Sequence, residues 1–548
     1  MRTRRLAVAL TAVALGGIMG GTAAAGQPDP GPSAPSDRGG AAAAELDRGP
    51  SAASDGAAAA GPGRGPVVVT DAGVLRGATS GTTDRFLGIP YAAPPVGELR
   101  WRPPGPVARW QGVREATRLS PRCPQNTTAA TSEDCLFLNV HTPKGAARGR
   151  DRLPVMVYIH GGALTSGMGG NYDPTALVEN GTVVVTINYR LGALGFLAHP
   201  ALAAADGSAG NYGLMDQQAA LRWVQRNIGS FGGSPDRVTI FGESAGGLSV
   251  LAHLASPGSA GLFSAAVNQS GAYNLRLQSL ADAKADGGAL SAAAGCPDQT
   301  AECLRSLPAS ALLAKQQPIG FLQTDGAVLP TSLDKAFRSG EFNRVPVVNG
   351  STSDESTFFV ATNYDMVGRR VTAENLVAEI SAMTGVPAET AKRAAQLYPL
   401  ADYPNPAAAL AAAATDATFA CPALELDGWL SRWVPTYAYE FADREAPQLY
   451  LPPVSFPYGA SHASELQYLF GIGNAAFPAR LTAEQERLAA TMRGHWTAFA
   501  TTGRPASAAV WPAYTAARPH MLSYAPPTPG RVADFPAAHR CGFWSAVD

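Results

Sequence analysis

Apolar positions recur along this chain with two different periods, and the two alternate. Val67-Val68-Val69, Gly73-Val74-Leu75 and Arg85-Phe86-Leu87-Gly88-Ile89 are short β-rich runs parted by Gly and Asp, as in a small N-terminal antiparallel sheet. Leu136-Phe137-Leu138-Asn139-Val140 is a further strand candidate. Leu153-Pro154-Val155-Met156-Val157-Tyr158-Ile159-His160 and Thr182-Val183-Val184-Val185-Thr186-Ile187-Asn188 are apolar, β-branched runs, the mark of strands buried on both faces. Leu214, Ala219, Leu221, Val224 and Ile228 then recur at helical spacing. Another β-branched run, 237–241, precedes a helix-compatible stretch at 248–254. Residues 265–268, 345–349 and 437–441 are later strands, and 373–384, 388–397 and 481–501 read as helices. This alternation predicts an α/β fold, a large and mostly parallel sheet flanked by helices on both faces. No internal repeat or linker-separated second domain is evident, so 66–548 reads as one domain.

The strand at 237–241 runs into Gly242-Glu243-Ser244-Ala245-Gly246-Gly247. Strand, Gly-x-Ser-x-Gly and helix in that order are the sequence form of a nucleophile elbow. The turn is sharp, so the central residue is expected in a strained conformation, with Gly242 and Gly246 allowing close backbone approach. Ser244 then projects at a helix N-terminus, where the Ala245 N–H and the helix dipole favour developing negative charge.

Composition narrows the picture. Lys+Arg is 42 and Asp+Glu 43, so no charge imbalance argues for nucleic acid or an anionic surface. Hydrophobic residues make up 46% of the chain, enough for a sizeable core. Arg2, Arg4 and Arg5 precede an apolar stretch at 6–19 and Ala23-Ala24-Ala25, which reads as a secretory signal peptide over 1–25. Arg4-Arg5 also permits twin-arginine export. Residues 26–65 are Ala, Gly, Pro and Ser with scattered charge, and read as a disordered linker. No other run is expected to span a bilayer.

Six cysteines in an exported chain read as disulfides. Spacing suggests Cys123–Cys135, Cys296–Cys303 and Cys421–Cys541. Metal binding is the poorer reading, because no C-x-x-C occurs and no His lies at ligand spacing. The third pair closes a loop that chain-entropy arguments value at about 4–5 kcal/mol.

A serine nucleophile needs a base, and the base needs an orienting carboxylate. With the elbow, the order is serine, acid, histidine. That removes His141, His160 and His199. His253 lies on the elbow's own helix and points away. His462 is the best remaining base, in the loop Tyr458-Gly459-Ala460-Ser461-His462. His495 lies mid-helix, and His520 and His539 read as surface loop residues. Asp354 and Glu355 both qualify as the acid, since both follow the strand at 345–349. Gly161-Gly162-Ala163, after a buried strand, matches an oxyanion loop, with Gly162, Ala163 and Ala245 as N–H donors. Losing one such donor typically costs about 3–4 kcal/mol of transition-state stabilisation.

Together these residues resemble the type-B carboxylesterase family, which includes the cholinesterases. The likeness is carried by Phe86-Leu87-Gly88-Ile89-Pro90-Tyr91-Ala92, Glu133-Asp134-Cys135-Leu136-Phe137-Leu138-Asn139, Tyr158-Ile159-His160-Gly161-Gly162 and Asn188-Tyr189-Arg190. Gly210-Asn211-Tyr212-Gly213-Leu214-Met215-Asp216-Gln217, Phe241 to Gly247, Gln269-Ser270-Gly271 and Asp354-Glu355 extend it, in the family's order. The resemblance implies a single α/β-hydrolase domain with a gorge down to the serine. It implies Glu355 as the acid, His462 as the base, and the donors Gly162, Ala163 and Ala245. It also implies the three disulfides, a small-molecule ester substrate, and no cofactor, metal or nucleic acid. Oligomeric state is left open, a monomer being compatible.

Two departures from the pattern matter. The third glycine of the oxyanion loop is Ala163, and the aromatic after it is Leu164. The Cys123–Cys135 loop has no Trp, which weighs against a quaternary-ammonium ester. The expected function is a secreted serine carboxylesterase. The alternatives are a catalytically silent binding or adhesion protein, and a lipase, amidase or polymer esterase on the same fold.

Overall fold

The computed structural model describes residues 65–148, 152–316 and 322–547. The leader and all of the linker but Gly65 lie outside the described residues. The centre is an eleven-stranded sheet. In spatial order its strands are Gly530–Arg531, Met521–Tyr524, Thr436–Phe441, Val347–Thr352, Ala265–Gln269, Gly233–Glu243, Leu153–Ile159, Val183–Ile187, Phe137–Pro143, Thr83–Pro90 and Ala78–Ser80. From Met521–Tyr524 to Val183–Ile187 neighbours run parallel, and both ends are antiparallel.

The runs read as doubly buried are so because their side chains serve two layers. Val155, Val157 and Ile159 pack on one face, with Leu221 and Val224 of helix Tyr212–Asn227 and Leu248 and Leu251 of helix Ala245–Ala255. Met156 and Tyr158 pack on the other, with Leu488, Met492, Trp496 and Phe499 of helix Ala483–Thr502. That last helix starts in a reciprocal capping box between Thr482 and Gln485 and stops at Gly503, whose φ is 71°.

Strand order reverses between Leu153–Ile159 and Gly233–Glu243. From the first strand the chain moves out to one side, and from the second to the other. At such a reversal the connections leave in opposite directions and open a crevice at the carboxyl ends of the strands. Gly161-Gly162-Ala163 and Ser244 follow these two strands directly.

Three expectations change. The small sheet exists, but its third strand is Val113–Glu115, parallel to Val74–Arg76. The run at 85–89 instead belongs to Thr83–Pro90, at the antiparallel end of the large sheet. The third concerns bilayer spans: Pro406–Leu430 is 25 helical residues, long and apolar enough by length and composition to cross one. About two thirds of its most apolar part, 67%, is buried inside the protein. There it packs with Leu376–Thr384, Ala388–Ala395 and the C-terminal Cys541–Trp544. The cysteines pair as their spacing suggests.

Candidate active site

The elbow has the expected strain. Ser244 sits at φ 57° and ψ −122°, a region L-residues adopt only when their surroundings impose it. Its N–H donates to the Gln269 carbonyl at 2.9 Å, and its carbonyl starts helix Ala245–Ala255 by accepting from Leu248 N–H at 2.9 Å. A Cβ on Gly246 would collide with the Ile159 carbonyl, and one on Gly242 would lie 2.6 Å from the Gly246 carbonyl. Between 241 and 250 every residue is buried except Ser244.

The loop after Leu153–Ile159 lies directly against the elbow. A Cβ on Gly161 would sit 3.1 Å from the Ser244 Cβ. The loop bends through three positive φ values in succession, 103° at Gly162, 54° at Ala163 and 57° at Leu164. The last two are not glycine, so this turn is strained. Thr165 and Ser166 N–H groups both donate to the Gly162 carbonyl at 3.0 Å, which closes it.

Geometry separates the two acid candidates. His462 Nδ1 lies 2.5 Å from Glu355 Oε2, and Glu355 Oε1 accepts the Thr352 N–H at 2.8 Å. Both residues are buried, Glu355 completely. Asp354 instead accepts from Ala460 N–H and Arg444 Nε, each at 3.1 Å, and pins the loop that carries His462. Glu355 offers acceptors, so His462 Nδ1 carries a proton and donates it to Glu355, which leaves Nε2 on the side of Glu243.

His462 Nε2 lies 3.1 Å from Glu243 Oε1, at ion-pair distance but off the direction of a hydrogen bond. The Ser244 side chain hydrogen-bonds the Tyr273 phenol. One face of the imidazole is walled by Phe359 and Phe419, with ring centroids 4.9 and 5.3 Å away. Phe358 stands at 6.1 Å. A third buried carboxyl, Glu465, accepts from Gln269 Nε2 at 3.2 Å, while its other oxygen has no hydrogen-bond partner among the described residues.

Three carboxyls thus surround one imidazole. Burial alone would lower the His462 pKa, but the charges of Glu243 and Glu355, the Glu355 hydrogen bond and the charge of Glu465 outweigh it and push it up to about 9. Burial, with Glu355 adding, raises Glu243 to about 7. Burial with Glu243 and Glu355 raises Glu465 to about 8. The upward push on His462 from Glu243 lasts only while Glu243 is ionised.

The other histidines are placed elsewhere. His253 is buried between Gln217 Oε1 and Ser259 Oγ, each at 2.9 Å, and burial lowers its pKa to about 3. His160 stacks on Tyr189 at 4.4 Å. His495 Nδ1 meets the Tyr524 hydroxyl at 2.7 Å. His539 overturns the surface-loop reading: it is buried, with Nδ1 2.6 Å from Asp416 and Nε2 2.8 Å from Glu440. Sequence reasoning missed Glu243, Glu465, Tyr273 and the phenylalanine wall. Glu243 carried a signal, because a carboxylate at the end of a buried strand needs an explanation. Glu465 carried none.

The model of the carboxylesterase family matches residues 64–544. The para-nitrobenzyl esterase of Bacillus subtilis (strain 168) is 36% identical, over 82% of this chain and 92% of its own. The fumonisin B1 esterase of Sphingopyxis macrogoltabida is 36% identical, over 80% of this chain and 82% of its own. The cocaine esterase of Homo sapiens is 34% identical, over 86% and 88%. A solved PNB esterase superposes with a TM-score of 0.73 at 32% identity, covering 87% of this chain and 99% of its own. Matches of this extent and identity, on an α/β-hydrolase fold, mean that the chain belongs to the carboxylesterase family and is a carboxylic ester hydrolase.

Proposed function

We propose that this protein is a secreted serine esterase of small-molecule esters that works through Ser244, His462 and Glu355. The observation that carries the reading is the completely buried Glu355 bonded to His462 beside the strained elbow serine. The reaction begins when the Ser244 hydroxyl exchanges Tyr273 for His462 Nε2. Protonation of Glu243 removes the strongest upward influence on His462 and makes a neutral Nε2 accessible. Nε2 takes the serine proton as Oγ attacks the ester carbonyl. Glu355 holds the imidazole in orientation and stabilises its charged form. Negative charge on the former carbonyl oxygen is met by the N–H groups of Gly162, Ala163 and Ala245. His462 passes the proton to the departing alcohol, and water hydrolyses the acyl-enzyme by the reverse steps. Phe358, Phe359, Phe419 and Leu164 favour an apolar group on the ester. Export is supported by the leader pattern and the three disulfides.

The test is hydrolysis of p-nitrophenyl acetate, butyrate and octanoate by the full chain beside Ser244→Ala. The expected result is turnover that falls by about 10⁶ in the variant. Retained activity in a folded Ser244→Ala protein sinks the serine mechanism. Inert wild type on all three esters favours the silent binding protein.

A further inference from the structure

The loop that carries Gly162 and Ala163 is strained at Ala163 and Leu164, and such strain persists only where the surroundings hold it. Its near end is the sheet. Its far end is Gly167, and Gly167 is held by one side chain. Gln125 Oε1 accepts the Gly167 N–H at 2.9 Å, and Gln125 Nε2 donates to the Gly167 carbonyl at 2.9 Å. Nε2 also donates to the Cys123 carbonyl at 3.0 Å. Two carbonyls therefore face Nε2 and one N–H faces Oε1, which fixes the orientation of the amide. No other hydrogen-bond partner of Gly167 occurs among the described residues. Gln125 is 6% exposed, and its own loop is tied by the buried Cys123–Cys135 disulfide.

The amide works as a strand edge would, pairing donor and acceptor with a single residue of a loop that belongs to no sheet. Gly167 has a φ of 112°, and a Cβ there would lie 2.8 Å from the Gly161 carbonyl. Gly167 therefore folds back on the start of the loop. Holding Gly167 sets how far the segment between, with its N–H groups, can drift from Ser244.

We propose that Gln125 is a positioning residue for the oxyanion loop. It clamps Gly167 to the disulfide-closed loop, so that the Gly162 and Ala163 N–H groups stay aimed at the developing oxyanion. This rests on the serine-esterase reading. Its effect belongs to the transition state, because a substrate carbonyl makes weaker demands on the donors than an alkoxide does.

The experiment compares wild type, Gln125→Ala and Gln125→Glu in the full chain. Gln125→Glu keeps the volume and the acceptor for Gly167 but loses both Nε2 donations. The readouts are kcat and KM on p-nitrophenyl acetate, the melting temperature, and inhibition by an aryl trifluoromethyl ketone, which adds serine to give a bound hemiketal oxyanion. The expected result is a fall in kcat of about 10–100-fold with KM within about threefold. The trifluoromethyl ketone weakens by the same factor as kcat/KM, while the matching methyl ketone, which stays unadded, binds as before. Folded variants with kcat within threefold of wild type overturn the proposal. Loss of cooperative melting in both variants also overturns it, since Gln125 is then a folding residue. Inert wild type overturns the esterase reading and this inference with it, whereas active wild type with unchanged variants overturns this inference alone.

Discussion

Two buried histidines in this protein each lie between two carboxylates, and they differ in everything around them. His539 is held by Asp416 and Glu440, and Asp416 also receives Tyr398 at 2.7 Å and Arg540 at 3.4 Å. Two carboxylates there face two cations, and the Cys421–Cys541 disulfide seals the cluster, with Cys421 Sγ 3.3 Å from the His539 carbonyl. His462 has Glu355 and Glu243 on its two nitrogens and feels the charge of Glu465, with no second cation in contact among the described residues. A charge-balanced cluster is satisfied as it stands and serves as an anchor. An unbalanced one must hold exchangeable protons, which suits a group that accepts and returns a proton at each turnover. On the proposed mechanism it is the surroundings, not the imidazole or its immediate partners, that separate an anchor from a base.

The comparison is tested most directly by removing each imidazole. His462→Ala is expected to lose at least about 10⁴ in kcat/KM. His539→Ala is expected to keep kcat near the wild-type value but to lose about 3–5 kcal/mol of stability, because two buried carboxylates lose their partner. Steady-state kinetics and denaturant unfolding on both variants decide it. A folded His539→Ala that is as inactive as His462→Ala would break the distinction.

A smaller effect is expected from Glu243→Gln. Glu243 is the largest influence raising the His462 pKa. Without its charge that pKa falls, so the acid limb of the kcat/KM profile moves to lower pH. An unmoved limb means that Glu243 is already protonated in the working enzyme.

The smallest effect is in the pH dependence of stability. Burial alone would lower the His539 pKa, but its hydrogen bonds to Asp416 and Glu440 and their charges raise it from 6.5 to about 9. The folded state thus binds this proton more tightly than the unfolded state does. Its stabilisation is fully present below about pH 6.5 and is lost as pH rises through about 9. The stability gap between wild type and His539→Ala should therefore narrow between pH 6 and pH 10. A gap that stays constant sinks the charged-anchor reading of His539.

Much of this was legible in one dimension, and the parts that were not share a cause. The doubly buried strands at 153–159 and 183–187 announced themselves through unbroken apolar runs, because a parallel sheet covered on both faces has no polar side. The elbow was legible because its backbone restricts nearby residue types within a few positions. The run at 85–89 was visible as a strand, yet its sheet was not, since pairing with Phe137–Pro143 depends on a segment some fifty residues away. His539 was misread for the same reason. Its partners lie 123 and 99 residues away, and nothing beside it in the chain hints at burial. Pro406–Leu430 shows the converse, since an apolar helix has the same composition in a protein core as in a bilayer.

The sequence by itself determined the local chemistry: the strand–turn–helix around Ser244, the Gly-rich loop at 161–163, the cysteine pairs and the α/β alternation. These follow from steric and periodic rules that act over a few residues. The tertiary structure set Glu355, which the family resemblance implied, against His462, and it alone placed Glu243 and Glu465 near that imidazole, buried His539, and fastened Gly167 to Gln125. Each of those depends on distance, desolvation and charge between groups far apart in the chain, and such quantities exist only once the chain has folded.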